Sequence, residues 1–178
     1  MSNLEKRIEI LTKAELRNVL KRLTAEILEK IDNPQNLILM GIPTRGVNLS
    51  EVIALEISKK IGYEVEKGII DPTFYRDDQS KVGTKSIKVD SIPSSLDEKE
   101  IILIDDVIYT GRTARAAMEA LNFWGRPKKV KLLTMIDRGH RELPIQPDFC
   151  GKQVLTNKDQ NIELRLKSLD EIEGVFLV

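Results

Sequence analysis

The sequence predicts an α/β fold, a doubly wound, mainly parallel sheet with a small hood and antiparallel strands toward the C-terminal end. Three observations predict it. Apolar runs without polar alternation, residues 37–42 and 101–104, suit strands buried on both faces, and residues 130–136 read as the next strand. Segments of helical spacing separate them, as a doubly wound sheet requires. Each run leads into polar residues, Thr44-Arg45-Gly46, Asp105-Asp106 and Asp137-Arg138, and strand carboxyl ends are where such sheets bind ligands. With 178 residues, a single domain over 1–178 is expected, its core spanning about 12–136 and its hood and C-terminal strands about 137–178.

In chain order, Thr12-x-x-Glu15 reads as a capping box that opens the first helix. Leu16, Val19, Leu20, Leu23, Ile27 and Ile31 follow at helical spacing, and Asn33-Pro34 ends it. The run 37–42 is a strand and leads through Pro43 and Thr44-Arg45-Gly46 into a helix over 47–60, stopped by Gly62. Residues 63–71 read as a third strand. The long polar segment 72–85, holding Phe74-Tyr75-Arg76-Asp77-Asp78, has the length of a lid or a solvated hairpin. Residues 86–89 read as a short strand and 92–99 as a turn. After the run 101–104, residues 114–124 form a helix ended by Gly125 and Pro127, with Ala114, Ala117, Met118 and Leu121 facing the sheet. The run 130–136 is the next strand. Residues 153–155, 163–166 and 175–178 are further strand candidates.

The chemistry concentrates after Ile104. Neighbouring residues on a regular strand face opposite ways. Asp105 and Asp106 therefore aim at one ligand only if the strand ends there and the chain turns. Thr110-Gly111-Arg112-Thr113 then fall at a helix start, where unpaired N–H groups and a partial positive charge suit a phosphate. Gly111 lets backbone approach an anion, the threonines donate hydroxyl bonds, and Arg112 adds a full charge. Paired acids suit sugar hydroxyls or a divalent metal, so the stretch describes a site for a phosphorylated sugar. Thr44, Arg45 and Gly46 occupy a second strand-to-helix junction of the same kind.

Composition narrows the function further. Lys and Arg number 28, Asp and Glu 28, giving a formal net charge of zero. Bulk attraction to nucleic acid or membrane is not indicated, and any such binding needs a local patch. One cysteine, Cys150, and one histidine, His140, exclude a disulfide framework and a Cys/His zinc site within one chain. No apolar stretch is long enough to span a membrane, and residues 1–7 lack the basic-then-apolar order of a signal peptide, so cytoplasm is expected. A hydrolase elbow G-x-S-x-G and a P-loop G-x-x-x-x-G-K-[ST] are both missing.

The stretch 101–113 is very similar to the phosphoribosyl pyrophosphate (PRPP) signature of type I phosphoribosyltransferases. With Thr44-Arg45-Gly46, Tyr75-Arg76-Asp77-Asp78, Gly125-Arg126-Pro127 and Asp137-Arg138-Gly139-His140-Arg141-Glu142-Leu143-Pro144, it resembles one family closely, the bifunctional pyrimidine operon regulators and uracil phosphoribosyltransferases. The resemblance implies uracil plus PRPP giving UMP and pyrophosphate, with Mg²⁺ as cofactor. It implies that Asp105 and Asp106 hold the ribose hydroxyls and that Val107, Tyr109, Thr110, Gly111, Arg112 and Thr113 belong to the PRPP site. Thr44 and Arg45 would form the pyrophosphate loop, Arg45 joining the two acids as catalytic residues. Tyr75 to Asp78 would begin a flexible lid. Asp137, Arg138, Gly139, His140 and Arg141 would form the uracil hood, Asp137 also helping to hold Mg²⁺. It further implies UMP-dependent binding of the leader of pyrimidine mRNA through Lys21, Arg22, Arg141 and Lys152, transcription attenuation, and a homodimer or larger homo-oligomer. The chain carries Lys21-Arg22-x-x-Ala25 where the RNA-binding pattern is Thr-Arg-x-x-His, and Gln146 where a basic residue is usual. The competing reading is a salvage phosphoribosyltransferase with no RNA-regulatory role.

Overall fold

A computed structural model describes residues 7–77, 90–167 and 170–178. Five strands form the main sheet in the order β3-β2-β4-β5-β6, all neighbours parallel: β2 (Leu37–Gly41), β3 (Glu66–Ile69), β4 (Glu100–Ile108), β5 (Lys129–Asp137) and β6 (Phe149–Gln153). A separate antiparallel sheet joins β1 (Ile8–Leu11), β8 (Gly174–Leu177) and β7 (Ile162–Arg165) in that order.

Three helices cover the main sheet. α1 (Lys13–Lys30) starts at the expected capping box: Thr12 Oγ1 accepts from the Glu15 N–H, and Glu15 Oε2 accepts from the Thr12 N–H at 2.8 Å. α2 (Arg45–Ile61) ends at Gly62, whose φ of 85° is the left-handed conformation glycine adopts without strain. α3 spans Arg112–Trp124. Leu16, Leu23 and Ile27 of α1 and Leu49, Ile53 and Ile57 of α2 pack on Leu39, Ile102, Ile104, Leu133 and Phe149. On the opposite face, Ala114, Ala117, Ala120 and Leu121 of α3 pack on Ile38, Met40, Ile101, Leu103 and Leu132. Fully burying one such aliphatic side chain stabilises by about 1.5–3 kcal/mol, so the two faces together dominate the favourable side of folding. The doubly wound sheet and the C-terminal antiparallel strands are thus as expected.

Some expectations are corrected. β4 does not stop at Ile104 but runs to Ile108, through both acids. The strand expected at 153–155 lies earlier, as β6, because Phe149 fills the core while Leu155 is 93% exposed. Met118 is not buried against the sheet but partly exposed at its margin, beside Val130. β1 was not anticipated. The expected strand 86–89, and Asp78, lie outside the described residues.

The register explains why β4 carries a site. Gly41, the last residue of β2, pairs with Ile104. On its other side β4 stays paired, Asp105 with Thr134 and Ile108 with Asp137. Asp105 and Asp106 therefore project past the end of β2 while β5 still supports them.

Candidate active site

A cavity of about 310 Å³ opens at the carboxyl end of β4. Asp105, Val107, Tyr109, Thr110, Gly111, Arg112 and Thr113 line it, joined by Arg76, Leu132, Thr134 and Glu142. The ladder between β4 and β5 pairs Asp105 with Thr134 and Val107 with Ile136. At this end each acid folds back on the chain: Asp105 Oδ1 accepts from the Asp106 N–H at 3.0 Å, and Asp106 Oδ1 accepts from the Val107 N–H at 2.9 Å. The two carboxyls come close without the strand ending. Burial, and then the charge of Asp106 beside it, push the Asp105 carboxyl well above the usual carboxylate range, while Arg76 pulls the other way.

Gly111 is the N-cap residue of α3, with φ at 91° and no side chain of its own to cap the helix. Thr110 Oγ1 accepts from the Arg112 N–H at 3.3 Å. Arg112 reaches two further segments: Nη1 donates to Asp77 at 2.7 Å and Nε to Glu142 at 2.8 Å. Arg76 Nη1 donates to Thr113 Oγ1 at 2.6 Å, and Arg115 Nη2 donates to the Tyr75 carbonyl at 2.6 Å. The described start of the expected lid, Tyr75 to Asp77, therefore rests on the helix start that sequence assigned to phosphate.

The junction after β2 lies beside this cavity rather than in its lining. The Pro43–Thr44 peptide is cis, and the Thr44 side chain makes no capping bond. Gly46 is required for packing, because a Cβ there would lie 2.3 Å from the Ile104 carbonyl oxygen. Arg45 donates from Nη1 and Nη2 to the two carboxylate oxygens of Asp170, at 2.6 and 3.2 Å. The charge of Asp106 also acts on Arg45, which places the junction close to the acid pair.

The residues after β5 form a dense network. Asp137 Oδ2 accepts from Arg141 at 2.6 Å and Oδ1 from the Gly139 N–H at 2.9 Å. Arg141 also donates to the carbonyls of Tyr109 and Ile145 and to Gln146. Arg138 is buried, donates to Thr156, Asn157 and Gln160, and lies 4.2 Å over the Tyr109 ring. His140 Nε2 is 2.5 Å from the Thr156 carbonyl, to which it donates. Among the described residues no group of three or more His, Cys, Asp or Glu side chains stands ready to hold a metal.

Of the four basic residues expected on one face, two come together. Arg22 on α1 donates to the carbonyls of Cys150 and Gly151 at 3.2 and 2.5 Å, next to Lys152 on β6, which donates to the Ile10 carbonyl. Lys21 lies in a groove between α1 and α2 with Arg17, Val52 and Glu173. Arg141 belongs to the hood network. Sequence reasoning missed Thr134, Glu142 and Asp170. Glu142 lay inside a motif already noticed; Thr134 and Asp170 gave no signal.

Residues 8–168 match the phosphoribosyl transferase domain model. A protein named Bifunctional protein PyrR from Microcystis aeruginosa is 46% identical over 171 residues, 96% of this chain and 97% of that protein. The chain belongs to the PyrR family of phosphoribosyltransferases. Other PyrR proteins agree: the one from Synechocystis is 44% identical over 96% of both chains, and the one from Latilactobacillus sakei 42% over 95% of this chain and 96% of its own. The fold recurs in a solved hypoxanthine-guanine phosphoribosyltransferase from Bacillus anthracis, with a TM-score of 0.72 at 18% identity, covering 96% of this chain and 98% of that one. A hypoxanthine phosphoribosyltransferase from Staphylococcus aureus gives 0.65 at 21% identity, covering 91% and 86%. PyrR membership agrees with the family resemblance of the sequence motifs. Among the described residues no helix is long and apolar enough to cross a membrane.

Proposed function

We propose that this chain transfers the ribose 5-phosphate unit of PRPP to uracil, releasing pyrophosphate and forming UMP, and that it binds pyrimidine mRNA leader in response to UMP to attenuate transcription. The observation that carries the first activity is the single cavity joining Asp105 to the start of α3 at Gly111 to Thr113. Backbone N–H groups and hydroxyls there suit the 5′-phosphate, and the acid pair suits the ribose hydroxyls. Thr44 and Arg45 stand one junction away for the pyrophosphate, and the network from Asp137 to Arg141 forms the hood for the base.

Positive charge develops on the ribose ring as pyrophosphate leaves. An ionised carboxylate held at the ribose stabilises that charge, and Arg45 stabilises the leaving group. Burial and the charge of Asp106 raise the Asp105 carboxyl above its ordinary range, and a cationic ribose ring beside it favours the ionised form. Mg²⁺ supplies charge neutralisation on the pyrophosphate. With no ligand cluster among the described residues, the chain offers isolated carboxylates such as Asp137, whose oxygens already accept from Arg141 and Gly139. The test of base choice is an assay with uracil, hypoxanthine, guanine and orotate, each with PRPP and Mg²⁺. Uracil is the expected substrate; preferential turnover of a purine overturns the assignment.

The RNA reading rests on family membership and on the edge where Arg22 and Lys152 meet. A salvage enzyme without regulation draws support from Arg22 and Arg141, whose guanidiniums are already bound to protein acceptors. Titrating leader RNA and a scrambled hairpin with and without UMP separates the two. Tighter binding of the leader with UMP supports the regulator, and identical curves support salvage alone. Cytoplasmic location and homo-oligomer assembly complete this reading of the chain.

A further inference from the structure

Glu142 lines the cavity together with Thr110 to Thr113, yet it belongs to the stretch after β5. Its backbone is tied to the turn: the N–H groups of Glu142 and Leu143 both donate to the Thr110 carbonyl, at 3.0 and 3.2 Å. One residue earlier, Arg141 donates to the Tyr109 carbonyl at 2.9 Å. Leu143 and Ile145 lie against Gly111, 3.5 and 3.4 Å from where a Cβ on that glycine would stand. The stretch expected to receive the base therefore rests directly on the turn expected to receive the phosphate.

The Glu142 side chain adds one contact of a different kind. Oε2 accepts from Arg112 Nε at 2.8 Å, with the two side chains 53% and 30% exposed. Nε is the guanidinium nitrogen nearest the side-chain stem, so a bond there fixes the plane of the fork and leaves the terminal nitrogens to other partners. Nη1 donates to Asp77 at 2.7 Å, and Nη2 has no hydrogen bond among the described residues. An exposed ion pair contributes little to the fold, and the two backbone bonds to Thr110 survive any change of the side chain. A carboxylate beside an anion cradle repels the anion, unless it is committed to a cation that faces it.

We propose that Glu142 is a positioning residue for Arg112: through Nε it holds the guanidinium in the plane that turns its terminal nitrogens toward the 5′-phosphate of PRPP. This rests on the reading of the α3 start as the site of that phosphate. The consequence is confined to one end of the substrate. In Glu142→Ala the KM for PRPP rises about two- to fivefold, the scale of one exposed ion pair. Ribose 5-phosphate, which carries the same phosphate and no pyrophosphate, loses inhibition by the same factor. The inhibition constant of pyrophosphate, the KM for uracil and the melting temperature stay at parent values. Glu142→Gln keeps an oxygen that accepts from Nε and sheds the negative charge, so its KM for PRPP stays at or below that of the parent.

In the variant carrying both Glu142→Ala and Arg112→Ala the two effects fail to add, because Glu142 acts through Arg112. A KM for PRPP in Glu142→Ala at or below the parent value overturns the proposal, since such an acid either repels the phosphate or does not orient Arg112. Equal loss of ribose 5-phosphate and pyrophosphate inhibition overturns it too, as the mark of a general defect in the site. So does a rise in Glu142→Gln as large as in Glu142→Ala. Arg112→Ala measured alone separates this inference from the reading beneath it. A higher KM for PRPP in Arg112→Ala with Glu142→Ala at parent level removes only the role of Glu142. Parent-like PRPP kinetics and ribose 5-phosphate inhibition in Arg112→Ala remove the phosphate assignment of Arg112 itself.

Discussion

Arg45 gives both terminal nitrogens to one carboxylate, that of Asp170, 125 positions away in sequence. A carboxylate pairing in this forked manner presents to a guanidinium what a phosphate would. In the proposed reaction an internal anion thus stands on the group intended for pyrophosphate. Asp170→Asn is expected to lower the KM for PRPP and to sharpen inhibition by pyrophosphate. The pair is partly exposed, with side chains at 30% and 16%, so the loss of stability at neutral pH stays near or below about 1 kcal/mol. The hydrogen bond from Arg45 holds the Asp170 carboxyl below its ordinary range. Its contribution is therefore present above the unfolded carboxylate pKa and lost as pH falls through the lower folded value. Melting curves from pH 7 down to the acid range will show the variant converging on the parent. A higher KM for PRPP in Asp170→Asn would mean instead that Asp170 orients Arg45 for substrate.

Asp105 has the opposite sign. Its folded pKa is raised, so the ionised carboxyl opposes folding above the unfolded carboxylate pKa, and the penalty fades as pH falls and the group takes up its proton. Asp105→Asn is expected to melt at or above the parent temperature at pH 7, with the gap closing toward acid pH. Uracil turnover should drop by about 100-fold or more, the scale of losing one charge-stabilising group. Asp106→Asn should likewise keep the melting temperature near the parent value while lowering turnover. A large fall in stability for Asp105→Asn would overturn the account of the pair as a functional cost to the fold.

Arg141 and Lys21 are expected to separate in a combined assay. Arg141 spans Asp137, Tyr109 and Ile145, so Arg141→Ala should raise the KM for uracil by loosening the hood. Lys21→Ala should leave that KM unchanged. If RNA binds this face, Lys21→Ala should weaken binding similarly across sequences and reduce the salt slope by about one. Enzyme kinetics and filter binding on the same two variants check both statements.

Phe149 and Phe123 provide a packing control. Phe149 is fully buried at 0% exposure, with the Lys30 ammonium 5.2 Å from its ring centre, whereas Phe123 is 73% exposed. Phe149→Ala should cost about 3–5 kcal/mol in urea unfolding, and Phe123→Ala about 0.5 kcal/mol or less.

Sequence was most legible where short-range chemistry decides the outcome. Thr12 and Glu15 name the start of α1 because a capping box needs only three intervening bonds of chain. The buried strands were legible because unalternating aliphatic runs have few other uses. The course of β4 is not legible from alternation, because adjacent strand residues ordinarily diverge, whereas Asp105 and Asp106 each bend back to the following N–H. β6 was placed late because Val154 and Leu155 look more strand-like than Cys150 and Gly151; contact with α1, absent from local pattern, decides which residues pair. The hood and acid pair were visible as motifs, but Thr134 and Asp170 owe their place to register and to long-range pairing. Neither residue differs locally from any other buried threonine or surface aspartate.

The antiparallel sheet has a consequence for the order in which the protein is made. Among the described residues β1 pairs only with β8, and β8 is translated after every strand of the main sheet. On the ribosome β1 must therefore wait, without a strand partner, until nearly all of the described chain has been synthesised. Asp170 lies in the connection from β7 to β8, so the Arg45 partner arrives in the same late interval. A nascent chain halted before β7 would carry α2, β4 and α3 with Arg45 still uncovered. The emerging enzyme meets its own restraint only after β7 has been made.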